Sequence, residues 1–290
     1  MEIITTLING LSIGGIYAMI ALGYTMVYGI AKMLNFAHGD IIMVGGYTIY
    51  VFMTTTGHPA IAITAAIIFC TLLGITIERV AYKPLRGSSP LAVLITAIGV
   101  SYLLQSLAQI IFGSAPKMVK IFELGTVTIG GMKVQVATLL TLACTIIVMA
   151  ALSVFVKFTK MGRAMVATSE DRDATQLMGI NVNMVITVTF AIGSALAAIA
   201  GLFYLIKAPS ISNTFGSMPG IKAFTAAVIG GIGSIPGAMI GGIVLGIIEC
   251  FSYKIPALAA YTDAIEFLIL IVILLVKPTG ILGKKRKEKV

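Results

Sequence analysis

Residues 136–156 read VATLLTLACTIIVMAALSVFV and contain no charged side chain. As a helix this stretch is about 32 Å long, close to the thickness of a bilayer's hydrocarbon core. Similar apolar runs lie at 5–30, 41–56, 59–77, 90–112, 183–206, 222–235, 237–252 and 256–276. Most are too long and too uniformly apolar for amphipathic surface helices. Of the 290 residues, 58% are hydrophobic and 11% charged, whereas a soluble domain carries about 25% charged residues. The expected fold is an all-α, polytopic transmembrane helix bundle. It should form a single domain over 1–290, with about eight to nine spans and a Gly/Pro-broken helical pair. No length is left for a separate soluble domain.

The net charge of +9 invites a nucleic-acid reading, but the distribution opposes it. Basic residues sit between the apolar runs and at the end, at Lys284, Lys285, Arg286, Lys287 and Lys289. Loop 78–89 holds Arg79, Lys83 and Arg86, and loop 157–182 holds Lys157, Lys160, Arg163 and Arg172. The opposite loops hold fewer, with Lys117, Lys120 and Lys133 in 113–135, then Lys207, Lys222 and Lys254. The positive-inside rule puts 78–89, 157–182 and the C-terminus in the cytoplasm. The N-terminus is then outside if both halves of the broken pair cross. No positive n-region precedes the first apolar stretch, whose length exceeds a signal-peptide core.

The broken pair turns at Gly231-Ile232-Gly233-Ser234-Ile235-Pro236-Gly237, which suggests a discontinuous or hairpin element at membrane depth. Gly233, Gly237 and Gly241, like Gly242 and Gly246, recur at four-residue spacing and predict a bare ridge for close helix packing. Residues 127–134 carry a strand–turn–strand pattern within the expected extracellular loop 113–135. Cys70, Cys144 and Cys250 are far apart in apolar runs and read as small core residues. Gly10-Leu11-Ser12-Ile13-Gly14 fits the nucleophile-elbow pattern but opens an apolar helix, so it reads as coincidence. No metal-ligand spacing occurs, and no cofactor is expected.

The best-defined polar island is 157–182. An amphipathic helix is predicted from Arg163 to Met178, with Ala164, Ala167, Ala174, Leu177 and Met178 on its apolar side. Glu170, Asp171, Arg172 and Asp173 should face water, and Gly179 should stop the helix as its C′ residue. Such an element is a solvated interfacial helix or a docking surface for a cytosolic partner. Ionisable residues at membrane depth are costly and face bundle interiors or aqueous cavities. His38 and Asp40, with Asn35 beside them, follow the first span; Glu249 lies late in the second half of the broken pair. Asp263 and Glu266, three apart on one helical face, should lie near the outer boundary. For those two, an interfacial or structural role is the plainer reading.

The island resembles the cytoplasmic coupling loop of ABC importer permeases. The flanking sequence resembles one family in particular, the permeases of bacterial branched-chain amino-acid importers. The likeness is carried by Gly23-Tyr24-Thr25-Met26-Val27-Tyr28-Gly29 with Asn35-Phe36-Ala37-His38-Gly39, and by Glu78-Arg79-Val80-Ala81-Tyr82-Lys83-Pro84-Leu85-Arg86. Lys222-Ala223-Phe224-Thr225-Ala226-Ala227-Val228 and Pro278-Thr279-Gly280-Ile281-Leu282-Gly283 extend it, in order, over nearly the whole chain. The resemblance implies a non-catalytic transport subunit of a bacterial inner membrane, with three kinds of partner. These are a second related permease, two cytosolic ATPase subunits and an external substrate-binding protein. It assigns ATPase coupling to Arg163, Glu170, Asp171, Arg172, Asp173 and Gly179. Asn35, His38 and Glu249 are candidates for the translocation path. The sequence holds no G-x-x-x-x-G-K-[ST] phosphate loop, so energy must come from another chain or an ion gradient. Similar permeases carry urea or short amides, and a stand-alone secondary transporter is the competing class.

Overall fold

The computed structural model describes residues 2–122, 124–129 and 132–283. The elements run α1 (Glu2–Ala31), α2 (His38–Thr56), α3 (Pro59–Ile77), a π turn (Glu78–Tyr82) with a 3-10 turn (Lys83–Leu85), and α4 (Pro90–Phe112). Strands β1 (Lys117–Met118), β2 (Thr126–Ile129) and β3 (Met132–Gln135) precede α5 (Val136–Phe158), α6 (Lys160–Glu170) and α7 (Arg172–Leu177). Then follow α8 (Val182–Lys207), β4 (Ser210–Ile211), α9 (Ser217–Gly230), α10 (Ile235–Lys254), α11 (Pro256–Ala259) and α12 (Thr262–Val276). The fold is the expected transmembrane helix bundle. Among the described residues, six helical segments are long and apolar enough to cross a membrane: Glu2–Ala31, Pro59–Leu85, Pro90–Phe112, Val136–Phe158, Val182–Lys207 and Ile235–Lys254. The two strands predicted at 127–134 pair, with Val127 opposite Val134 and Thr128 opposite Lys133, while the predicted turn at 130–131 lies outside the described residues.

Helix α1 is the central post, buried almost continuously from Gly14 to Val27 and packed on α10, α8, α9 and α5. Without a hydrophobic drive between helices in lipid, close backbone approach supplies the contact energy. A methyl group on Gly242 or Gly246 would collide with the α1 backbone at Ala18 or Gly14. One on Gly237 or Gly241 would strike α9 at Gly230 or Ala226. Helix α10 thus has two glycine faces. Gly233 does not belong to the ridge predicted for it, because it sits in the turn before α10 with φ +93°. The Gly10–Gly14 motif is also a packing device, since Gly10 and Gly14 abut Ile247 and Ile243 of α10 and Ser12 is buried inside the helix.

Cross-contacts sort the loops onto two ends. At one, Arg172 reaches the carbonyl of Ile30, Arg86 bonds to Asn183, and the Ile281 amide donates to Ile229. At the other, Glu2 pairs with Lys254 at 2.9 Å, and β1 pairs with β4. The start of α1 and residues 277–283 therefore lie at opposite ends. Helix α9 is displaced from the predicted run 222–235. It starts at Ser217 and stops at Gly230, where Gly231 turns the chain with φ +107°. Its 14 residues span about 21 Å, less than a bilayer core, and it begins inside the bundle with Gly216 and Gly220 against Gly39 of α2.

Candidate functional site

The polar island folds as a helical hairpin. Thr159 Oγ1 accepts from the Gly162 amide at 2.9 Å and caps α6; Asp171 Oδ1 accepts from the Ala174 amide at 3.0 Å and caps α7. Asp171 is the reason that the single helix predicted from Arg163 to Met178 is two, because its carboxylate captures a backbone amide that a continuous helix would need. Gly179 stops α7 as predicted, with φ +81°. Its amide donates to Gln176 at 3.0 Å while that of Ile180 donates to Thr175 at 3.3 Å, the bond pair of a Schellman motif.

The hairpin's buried face is not the predicted one. Gly162 lies so near the Phe155 and Val156 backbone that no Cβ fits, and Met165, Thr168 and Thr175 turn inward. Leu177 and Met178 point outward instead, 88% and 80% exposed. Arg163, Glu170, Asp171 and Asp173 are exposed. Arg172 does not face water as predicted: its Nη2 donates to the Ile30 carbonyl at 3.1 Å, tying α7 to the end of α1. Partial burial, and then neighbouring Arg86, pull its pKa below the ordinary arginine value.

Around the hairpin, the segment after α3 is stitched to α8. Arg86 pairs with buried Glu78 and bonds to Asn183, and Thr187 Oγ1 donates to Glu78 at 2.8 Å. Tyr82 donates to Asn35 Oδ1 at 2.9 Å. From Asn35 the irregular segment after α1 carries the chain back into the bundle, where non-helical backbone is tolerated because protein surrounds it. His38 then wedges between Gly23 and Gly193 and sets its ring edgewise on Tyr24, with centroids 4.7 Å apart.

A second polar centre lies inside the bundle. Lys222 Nζ of α9 is 2.9 Å from Glu249 of α10, and 2.8 and 3.3 Å from Asp263 and Glu266 of α12. Asp263 and Glu266 share one helical face, as their spacing predicts. Their partner was missed because Lys222 reads as a loop cation; its place inside an apolar run was the available signal. The three path candidates are not brought together. Asn35 is buried beside Tyr24, Tyr28 and Phe224, around a crevice too small for a water molecule; His38 is sealed between α1 and α8, and Glu249 belongs to the lysine cluster. Among the described residues, no group of three or more His, Cys, Asp or Glu side chains is placed to hold a metal ion.

The family model for the permease component of branched-chain amino acid transport systems matches residues 6–274. BraD of Pseudomonas aeruginosa, a high-affinity branched-chain amino acid transport system permease protein, is 43% identical, covering 98% of this chain and 97% of its own. LivH of Escherichia coli K12, of the same description, is 43% identical over 97% of this chain and 96% of its own. A probable LivH of Methanocaldococcus jannaschii is 28% identical over 93% and 89%. A match of this extent, on a transmembrane bundle of this form, leaves one conclusion: the chain belongs to the family of branched-chain amino acid transport permease components.

Proposed function

We propose that the chain is the membrane-spanning subunit of an ATP-binding-cassette importer that carries leucine, isoleucine and valine across the bacterial inner membrane. The observation that carries this reading, beyond family membership, is the α6–α7 hairpin. It places two bare apolar side chains, Leu177 and Met178, on a polar surface loop. An exposed apolar pair rimmed by charge is the anatomy of an interface. The occupant we assign is a cytosolic ATPase subunit, two per complete importer. A second related permease and an external binding protein complete the assembly.

Charge supports the orientation. The hairpin end gathers Arg79, Lys83, Arg86, Lys157, Lys160, Arg163 and Lys277, so that end and the C-terminus face the cytoplasm. ATPase closure would then push the hairpin, with Arg163, Glu170, Asp171 and Asp173 on its outer surface. Two links would pass the displacement inward: Arg172 to the end of α1, and Gly162 to the end of α5. The Gly179 turn keeps the hairpin short and stiff. Of the path candidates, we assign a contact with passing substrate to Asn35, which lies on the non-helical segment between α1 and α2. His38 and Glu249 would position the helices that move. A zwitterion with a branched aliphatic side chain suits a path with apolar walls and few polar contacts.

The docking part is tested by co-purification with the ATPase subunits. L177S/M178S should lower their retention by about tenfold, as loss of an interface anchor does. Full retention with normal coupled transport would remove the hairpin from the ATPase interface.

A further inference from the structure

Residues 32–37 join α1 to α2 without forming a helix. Among the described residues, none of the amides from Met33 to Ala37 donates to a backbone carbonyl. The segment opens on Lys32 with φ +54°, the one non-glycine residue at positive φ among those described. Backbone so sparsely bonded changes shape at low cost, and hinges use such positions. Phe36 closes the segment onto α9, its ring centroid 5.5 Å from that of Phe224. Tyr24 of α1 also meets Phe224, edgewise at 5.8 Å. The crevice that Tyr24 and Phe224 line with Leu34, Asn35 and Ile232 has no room for a water molecule, so the way past Asn35 is shut.

The two sides of this contact differ in support. Helix α9, which carries Phe224, is braced by the Lys222 ion pairs to α10 and α12. Its last carbonyls, Ile229 and Gly230, accept from the Ile281 and Leu282 amides at 2.8 and 2.9 Å. The Phe36 side hangs from the end of α1. There Arg172 of the hairpin holds the Ile30 carbonyl, just ahead of the segment. We propose that residues 32–37 are the inner gate of the transport route, closed by Phe36 against Phe224 and moved through the Arg172–Ile30 bond when the hairpin is displaced. The inference rests on the import reading above and adds to it the residues that shut the route toward the cytoplasm. Parting two phenyl rings uncovers apolar surface and no charge, which suits the passage of a branched aliphatic side chain.

The test uses the complete importer, with its ATPases and binding protein, in proteoliposomes. F36C/F224C is joined by a short bis-methanethiosulfonate reagent, and the bridge is verified by mass spectrometry. Joining should lower ATP-driven leucine uptake by at least about tenfold, and reduction should restore it. F36C and F224C alone should respond to the reagent no more than the wild type does. F36C, which leaves Phe224 in place, carries the test if the pair does not assemble. Its reaction with a hydrophilic maleimide, read at residue 36, should quicken about tenfold during turnover, and should not in F36C/R172A. Full uptake through the joined pair, or labelling at residue 36 indifferent to turnover, would overturn the gate. Absence of ATP-driven leucine uptake by the wild type would overturn the import reading itself, and the gate with it.

Discussion

Lys222 and Glu249 form an ion pair, Nζ to Oε1 2.9 Å, shut away from solvent where α9 meets α10. Asp263 and Glu266 converge on the same ammonium from α12. One cation thus joins three helices, including the half-length α9. Removing one partner of a buried pair leaves an uncompensated charge and costs about 3–5 kcal/mol. K222M should therefore lower the melting temperature of the detergent-purified protein sharply, and K222M/E249Q should recover part of the loss. Equal stability of K222M and wild type would show that the cluster does not hold α9.

The α1–α10 contact gives a second expectation. A side chain at Gly246 would meet the Gly14 backbone, whereas nothing lies within 4 Å of a Cβ at Gly99 on α4. G246V should abolish a monodisperse preparation. G99A should be neutral or stabilising by up to about 1 kcal/mol, since alanine is the better helix former. Size-exclusion profiles and thermal melts distinguish the two; a well-behaved G246V would contradict the packing.

Asn35 has a structural bond to Tyr82 and the substrate contact proposed above, and these roles separate by mutation. Y82F should cost about 1 kcal/mol of stability, the worth of one buried hydrogen bond. N35A should lose a similar amount of stability but reduce uptake further, because only Asn35 is assigned to substrate. Matching uptake in Y82F and N35A would confine Asn35 to structure.

The outer charges of the hairpin should matter for coupling more than for stability. E170K/D173K should leave the permease folded while amino-acid uptake per ATP hydrolysed falls about tenfold. Side-by-side assays of phosphate release and radiolabelled leucine uptake read this directly. Undiminished coupling would mean that other hairpin residues meet the ATPase.

Most of the bundle was legible because an uncharged run of bilayer length has few alternatives. The helix stop at Gly179 and the 127–134 strand pair were legible too, since glycine and turn chemistry act locally. What failed were features that tertiary contacts decide. Helix α9 ends five residues before the predicted run does because Gly231, with positive φ, turns the chain. Asp171 broke one predicted helix into two by capping. Leu177 and Met178 face outward although their helical phase looked inward, because the hairpin packs through Gly162 and Met165. Lys222 found its acids on two other helices, a meeting that sequence spacing does not encode.

The central claim is that this permease imports branched-chain amino acids at the expense of ATP hydrolysed by partner subunits. It is tested most directly with the chain, its companion permease and the ATPases reconstituted in proteoliposomes with ATP on the ATPase side. Leucine-loaded binding protein, added outside, should stimulate hydrolysis and drive leucine into the lumen, and urea should not substitute. Leucine entry supported by the chain alone under an ion gradient, or hydrolysis indifferent to the loaded binding protein, would contradict it.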